Sequence, residues 1–235
     1  MKSTEAIVLA GGLGTRLRSV VSDVPKPLAP IHDRPFLAYL LDSLAAQGIR
    51  HVVLAVGYKG ELIETCFGES HKGMRLSYSF EPEALGTGGA VQLAMSKLRN
   101  ATREAWILNG DTFFDCRLGE VAQHHVASGA DVSLALHRIT DASRYGLVEL
   151  DENDRIVRFC EKTPGSAGLI NAGIYLLRPH ALLSAGLSGR FSLERDFFED
   201  NVTTLHLNGA EQSGYFVDIG VPEDYARAQQ YFAPS

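Results

Sequence analysis

Residues 5–18 read EAIVLAGGLGTRLR. The run 5–10 is apolar without alternation, which predicts a strand buried on both faces, as in the middle of a parallel sheet. It stops at Gly11, Gly12 and Gly14, with Arg16 and Arg18 behind them. Glycines just beyond a buried strand can present consecutive backbone N–H groups to an anion and let a flat base approach the chain. Taken alone, the loop also fits a tight structural turn.

The segments around it decide the fold class. Pro35 opens a helical stretch in which Leu37, Leu40, Leu41 and Leu44 share one stripe and Gly48 closes it. Strands are expected at 51–56, 75–80, 104–109 and 131–137, with helices at 60–67 and 88–98 and another around 121–127. This alternation predicts an α/β, Rossmann-like, mostly parallel mixed sheet with helices on both faces. Beyond Arg144 the pattern changes to a hairpin about the polar turn 151–154, then a strand at 170–178. Helices are expected from Pro179, from Ser192 and at Pro222, and a strand at 214–220. No linker or repeat divides the chain, so a single domain over 1–235 is expected.

The whole composition narrows the function classes. In 235 residues, 45% hydrophobic and 21% charged side chains are those of an ordinary globular protein. A net charge of −6 gives no basic field for nucleic acid or an anionic membrane surface. No run approaches the ~18 apolar residues of a membrane span, and the start lacks a signal-peptide pattern, so a cytoplasmic protein is expected. Cys66, Cys116 and Cys160 have neither disulfide-framework nor zinc spacing and read as reduced thiols. His124-His125 reads as a polar helix surface, having no metal-spaced partner.

Two phosphate-binding loops are ruled out. A Walker A loop lacks its lysine here, and a dinucleotide fingerprint starting at Gly12 meets Leu17 where its last glycine belongs. Other residues supply the chemistry. Lys26 stands between Pro25 and Pro27, whose rings restrict the backbone on both sides and aim the ammonium, a point charge suited to a phosphoryl oxygen. Asn109-Gly110-Asp111-Thr112 follows a strand, and ligands in open α/β sheets sit beyond strand carboxyl ends. Asp111 can hold Mg²⁺ there, or else cap a helix. Asp218 likewise ends a strand before Gly220. Two strand-end carboxylates, a clamped lysine and a glycine loop with arginines fit metal-assisted phosphoryl transfer.

LAGGLGTRL, PKPL, EALGTGGA, NGD, EK, NAG and DIG follow one another in this order along nearly the whole chain. Together they resemble the sugar-1-phosphate nucleotidylyltransferase family, most strongly its heptose 1-phosphate guanylyltransferase branch. The resemblance implies NTP + sugar 1-phosphate → NDP-sugar + pyrophosphate with Mg²⁺, for glycan biosynthesis, with GTP and D-glycero-α-D-manno-heptose 1-phosphate as the favoured pair. It implies that about 1–140 binds nucleotide and about 141–235 sugar phosphate. Leu9, Ala10, Gly11 and Gly12 then fall on base and ribose, and Gly14, Thr15 and Arg16 on the triphosphate. Gly86 and Thr87 fall where the base is read. Lys26 and Arg16 match the cations on the reacting phosphates, and Asp111 and Asp218 the metal ligands. Asn109, Gly110, Gly146, Glu161, Lys162 and Asn171 correspond to the sugar-phosphate subsite, though Glu161 and Lys162 by themselves read as a solvated pair.

The residues add one expectation of their own. Guanine offers two adjacent donors, which one carboxylate can accept together. Glu81 and Glu83, stiffened by Pro82, are placed to do so. Mannose 1-phosphate with GTP, or glucose 1-phosphate with dTTP or UTP, stays an alternative. So does a metal-dependent glycosyltransferase, although the spacing of Asp111 and Asp115 does not match its DxD. A homo-oligomer is left open.

Overall fold

A computed structural model describes residues 3–12, 17, 24–100, 104–162 and 164–233. The opening apolar run is β1 (Glu5–Leu9), and a single 3-10 turn, Lys26–Leu28, leads into β2 (Pro30–Ile31) and β3 (Arg34–Pro35). Then come α1 (Phe36–Ala46), β4 (His51–Val56), α2 (Gly60–Phe67), β5 (Ser70–His71) and β6 (Met74–Phe80). They are followed by α3 (Gly86–Met95), β7 (Ala105–Asn109), β8 (Thr112–Phe114), α4 (Leu118–Ser128) and β9 (Val132–Ile139). The hairpin β10 (Leu147–Leu150) and β11 (Ile156–Cys160) precedes β12 (Gly168–Leu177) and α5 (Pro179–Ser184). A π-helix (Leu193–Glu199), β13 (Leu207–Gln212), β14 (Phe216–Asp218) and α6 (Pro222–Tyr231) complete the order.

Strands β6, β4, β1 and β7 lie side by side and parallel, which sends their carboxyl ends to one edge. β12 runs antiparallel to β7, β9 and β10, and β13 lies parallel to β9. One ten-stranded sheet therefore takes strands from both halves of the chain. The period of two along β1 assigns its side chains: Ala6 and Val8 join the leucines of α1, while Ile7 joins α3 and the π-helix phenylalanines. Both faces are thus covered by helices, as the apolar runs require. Leu37, Leu41 and Leu44 are fully buried, and each stabilises the fold by roughly 1.5–3 kcal/mol before side-chain entropy is counted.

Outside the large sheet, β8 and β14 pair antiparallel, with Asp218 opposite Thr112. This ribbon packs Phe113, Val217 and Ile219 against Tyr225 and Ala228 of α6. It also removes the alternative reading of Asp111, which is followed by a strand and caps no helix. His125 corrects an expectation. It is fully buried, its Nδ1 hydrogen-bonded with the Ser133 hydroxyl at 2.9 Å, and burial pushes its pKa down to about 4. His124 alone is exposed. The segment after Ser192 coils as a π-helix, with the Ser192 side chain accepting the Arg195 N–H. Cys66, Cys116 and Cys160 are free, and no helix is long and apolar enough to cross a membrane among the described residues.

Candidate active site

The loops leaving β1, β6 and β7 border a cleft of about 330 Å³ at the shared carboxyl edge. Leu9, Ala10, Gly11 and Gly12 line it from β1, and Glu81 from the end of β6. Gly86 and Thr87 enter from the start of α3, Asn109 and Asp111 from β7, and Lys26 from its 3-10 turn. Gly14, Thr15 and Arg16 lie outside the described residues.

The two described glycines of the loop have different reasons. A Cβ on Gly11 would come within 2.6 Å of Glu81 Oε1 and 3.0 Å of the Gly57 nitrogen, so a side chain there would evict Glu81. Gly12 has nothing within 4 Å of that position and leaves the cleft floor open. Glu81 is held in place, its Oε2 accepting the Leu85 N–H at 2.9 Å. Burial pushes its carboxyl up from the usual value, and the Leu85 bond only partly offsets this. Glu83 is exposed and does not line the cleft. The loop therefore brings one of the two candidate glutamates to the cleft.

Lys26 donates to Asp111 Oδ2 at 3.1 Å, and its side chain is only 11% exposed against 35% for Asp111. The lysine is thus a nearly buried charge held toward a carboxylate. Pro27 buries the turn that carries it. Asp218 does not line the cleft but is held next to Asp111, whose carbonyl accepts the Ile219 N–H at 3.0 Å. Burial and then the facing charge of Asp111 push its carboxyl up, while the Gly220 N–H, donated to Oδ1 at 2.8 Å, together with Lys26 and Arg144, pulls it back. Asp218, whose ionisation the neighbouring Asp111 carboxylate opposes, forms with it a hard-oxygen pair suited to a divalent cation. No group of three or more His, Cys, Asp or Glu gathers to hold a metal among the described residues, so a cation here would complete its shell from substrate phosphates and water.

The remaining expected residues divide between the cleft and the neighbouring strands. Asn109 lines the cleft, and Gly110 donates its N–H to the Leu9 carbonyl at 2.8 Å, locking β7's exit onto β1. Gly146 leads into β10, and Glu161 and Lys162 follow β11 as exposed residues. Asn171 lies within β12, its Oδ1 accepting the Gly173 N–H and its Nδ2 donating to the Tyr175 hydroxyl. None of these last four lines the cleft. Asn171 stands on β12, beside β7, while Gly146, Glu161 and Lys162 adjoin β10 and β11, further out in the same sheet.

Two features escaped the reading of the sequence. Arg190 lines the cleft and adds a second cation to Lys26. It arrives because 189–191 lies across the first turn of α3, where the Phe191 carbonyl accepts the Gly88 N–H at 3.0 Å. Cβ atoms on Gly86, Gly88 or Gly89 would meet this segment at 2.4, 2.1 and 2.3 Å. The glycines of 86–89 thus serve that crossing, a reason the sequence reading did not give them. The second feature is Arg144, ion-paired with the buried Asp224, which also takes Arg227 at 3.0 Å. Its only signal in the sequence was a position just before the expected hairpin.

Comparison with known proteins agrees with this geometry. The family model for nucleotidyl transferases matches residues 5–234. The chain is 44% identical over 221 residues to the D-glycero-alpha-D-manno-heptose 1-phosphate guanylyltransferase of Campylobacter jejuni, covering 94% of this chain and 96% of that one. It is 44% identical over 226 residues to the enzyme of the same name from Aneurinibacillus thermoaerophilus, covering 96% and 97%. Among solved structures, HddC from Yersinia pseudotuberculosis superposes with a TM-score of 0.87 at 31% identity, covering 98% of this chain and 100% of that one. The same protein has also been solved complexed with GMP-PN. Glycine cleft, clamped lysine and facing carboxylates lie within the matched span, and the chain belongs to the nucleotidyl transferase family.

Proposed function

We propose that the protein is a sugar-1-phosphate guanylyltransferase joining GTP to D-glycero-α-D-manno-heptose 1-phosphate, with release of pyrophosphate. The observation that carries the reaction class is the convergence of Lys26, Asp111 and Asp218 beside a glycine-floored cleft. The choice of base and sugar rests on the two relatives bearing that name at 44% identity over nearly their full lengths.

In the proposed step, an oxygen of the sugar phosphate attacks the α-phosphorus of the NTP in line. A new P–O bond forms, the bond from the α-phosphorus to the bridging oxygen breaks, and pyrophosphate leaves with the electron pair. The nucleophile is already an anion, so no general base is required. The difficulty is to bring two anions together and to carry the charge that develops on the leaving group. Lys26, nearly buried beside Asp111, offers its ammonium to the reacting phosphates in surroundings with little solvent, where such contacts are strongest. Arg190 adds charge from the α3 side, Arg16 follows the glycine loop, and the N–H groups of the loop bind phosphate oxygens. Asp111 and Asp218 would hold Mg²⁺, which supplies positive charge to the phosphates and orients them.

Glu81 would read guanine by accepting N1–H and the exocyclic amino group. Asn109, Gly146, Glu161, Lys162 and Asn171 would form the sugar-phosphate subsite and lower the entropic part of the barrier by orientation. The reading is tested by incubating the protein and Mg²⁺ with GTP, ATP, UTP or dTTP and a panel of sugar 1-phosphates, following pyrophosphate. GTP with the heptose phosphate should be fastest. Mannose 1-phosphate as the best sugar would overturn the heptose assignment, and dTTP or UTP as the best nucleotide would overturn the guanylyl one.

A further inference from the structure

Glu194 lies at the start of the π-helix, half-buried and outside the lining of the cleft. Three hydroxyls point to it: Thr87 donates to Oε2 at 2.7 Å, Ser192 to Oε2 at 3.1 Å, and Tyr175 to Oε1 at 3.3 Å. Each hydroxyl is already accepting an N–H. Thr87 takes the Leu193 amide at 2.8 Å, Ser192 the Arg195 amide at 3.2 Å, and Tyr175 the Asn171 Nδ2 at 3.0 Å. A hydroxyl has one proton, so with an N–H directed at it each of the three sends that proton to Glu194. The group at the centre must accept three times and donate nothing, which a carboxylate does and an amide does not.

The network reaches the cleft at one end and packs against a cleft-lining residue at the other. Thr87 lines the cleft from the first turn of α3. In the other direction Asn171, oriented by Tyr175, accepts the Gly173 N–H at 2.9 Å. Gly173 has a φ of +73°, and a Cβ there would fall 2.7 Å from Nδ2 of Asn109, which also lines the cleft. The pairing of β12 with β9 shifts register between Asn171 and Tyr175, so ladder hydrogen bonds alone do not fix this stretch. Tyr175 is fully buried, where an unmatched hydroxyl is costly.

We infer that Glu194 is a positioning residue that sets the base side of the cleft, through Thr87, against the sugar-phosphate side, through Tyr175 and Asn171. The inference deepens the guanylyltransferase reading and rests on it for its effect on substrates. It adds that the two substrate sites are coupled through one acidic side chain that touches neither substrate.

The test compares Tyr175→Phe, Glu194→Gln, Thr87→Val and Thr87→Ser with the wild type. Tyr175→Phe deletes one oxygen and should raise the KM for sugar 1-phosphate about tenfold, the scale of one hydrogen bond to a charged group, with the nucleotide KM within about twofold. Glu194→Gln should raise both constants, and Thr87→Ser, which keeps the hydroxyl, should restore what Thr87→Val loses. Equal changes in both constants for Tyr175→Phe, or none in the folded variants, would overturn the inference. Amide hydrogen exchange gives a readout independent of turnover. In Thr87→Val, or in Glu194→Gln if the former does not fold, the Gly173 N–H should exchange about tenfold faster than in the wild type. Unchanged exchange at Gly173 would defeat the coupling whatever the activity. Faster exchange in a protein that releases no pyrophosphate would instead defeat the reaction assignment and leave the coupling standing.

Discussion

At the scale of single residues, Lys26 and Glu81 carry the most chemistry and were legible to different degrees. Lys26 could be found because two prolines fix the backbone around it, and that restraint is written in the sequence. Its burial could not, because burial depends on the turn packing beneath Asp111. Lys26→Ala should lower turnover about 10²-fold, the scale of losing a key electrostatic group in the transition state. Removing the ion pair itself should cost at most about 1 kcal/mol, because Asp111 keeps access to water. Near-normal turnover at saturating substrate would take Lys26 out of the mechanism. Glu81 was legible only as one of two candidates, and the structure separates them by seating one against Gly11 and leaving the other in solvent. Glu81→Gln presents a donor where guanine needs only acceptors, so the preference for GTP over UTP should fall about 10–10²-fold. An unchanged ratio would leave base selection to the backbone around Gly11 and Gly86.

At the scale of elements, the strands of the parallel core were readable because continuous apolar runs ending in glycine have few other uses. β13, with its Gly209 and Asn208, has no such pattern and is a strand only because β9 offers a ladder. Arg190 was hidden for the same kind of reason, since it reaches the cleft through a crossing of segments far apart in sequence. The crossing can be tested at Gly89. Alanine inside a helix should gain about 1 kcal/mol in propensity. A Cβ 2.3 Å from the Gly189 carbonyl oxygen should cost more, leaving Gly89→Ala less stable by about 2 kcal/mol. That corresponds to a Tm lower by roughly 4–8 °C for a chain of this size. A raised Tm would show that the crossing yields easily. Another junction is electrostatic. Asp42 of α1 accepts from Arg34 and Lys72 at 2.9 Å each and pairs with His71 at 2.6 Å, tying α1 to β3 and β5. Burial alone would raise its pKa, but hydrogen bonds from His71, Lys72 and Arg34 outweigh this and hold it at about 2. The folded value lies below the ordinary 3.8, so the contribution is complete above that pH and is lost as pH falls toward about 2. Asp42→Asn should therefore be less stable than wild type by up to about 2 kcal/mol near neutrality, with the gap closing in acid. An equal gap in denaturant melts at about pH 2 and pH 7 would contradict the assignment.

At the scale of the whole molecule, the sheet explains why two phosphorylated substrates can meet. Parallel β1, β6 and β7 deliver the cleft residues to one edge, antiparallel β12 brings Asn171 and Gly173 alongside β7, and the β8–β14 ribbon sets Asp218 facing Asp111. The parallel architecture of the first half was legible in its β-α alternation. The way the second half joins the same sheet was not, because it depends on one strand pairing antiparallel with several others. The central claim is that this arrangement transfers a guanylyl group to a sugar phosphate, and phosphorus NMR of the reacting mixture tests it most directly. GTP, D-glycero-α-D-manno-heptose 1-phosphate and Mg²⁺ should give one pyrophosphate for each new diphosphate-linked product, with both reactants declining together and no change once the metal is chelated. Release of inorganic phosphate with GDP, or consumption of an added GDP-sugar without pyrophosphate in the mixture, would contradict it.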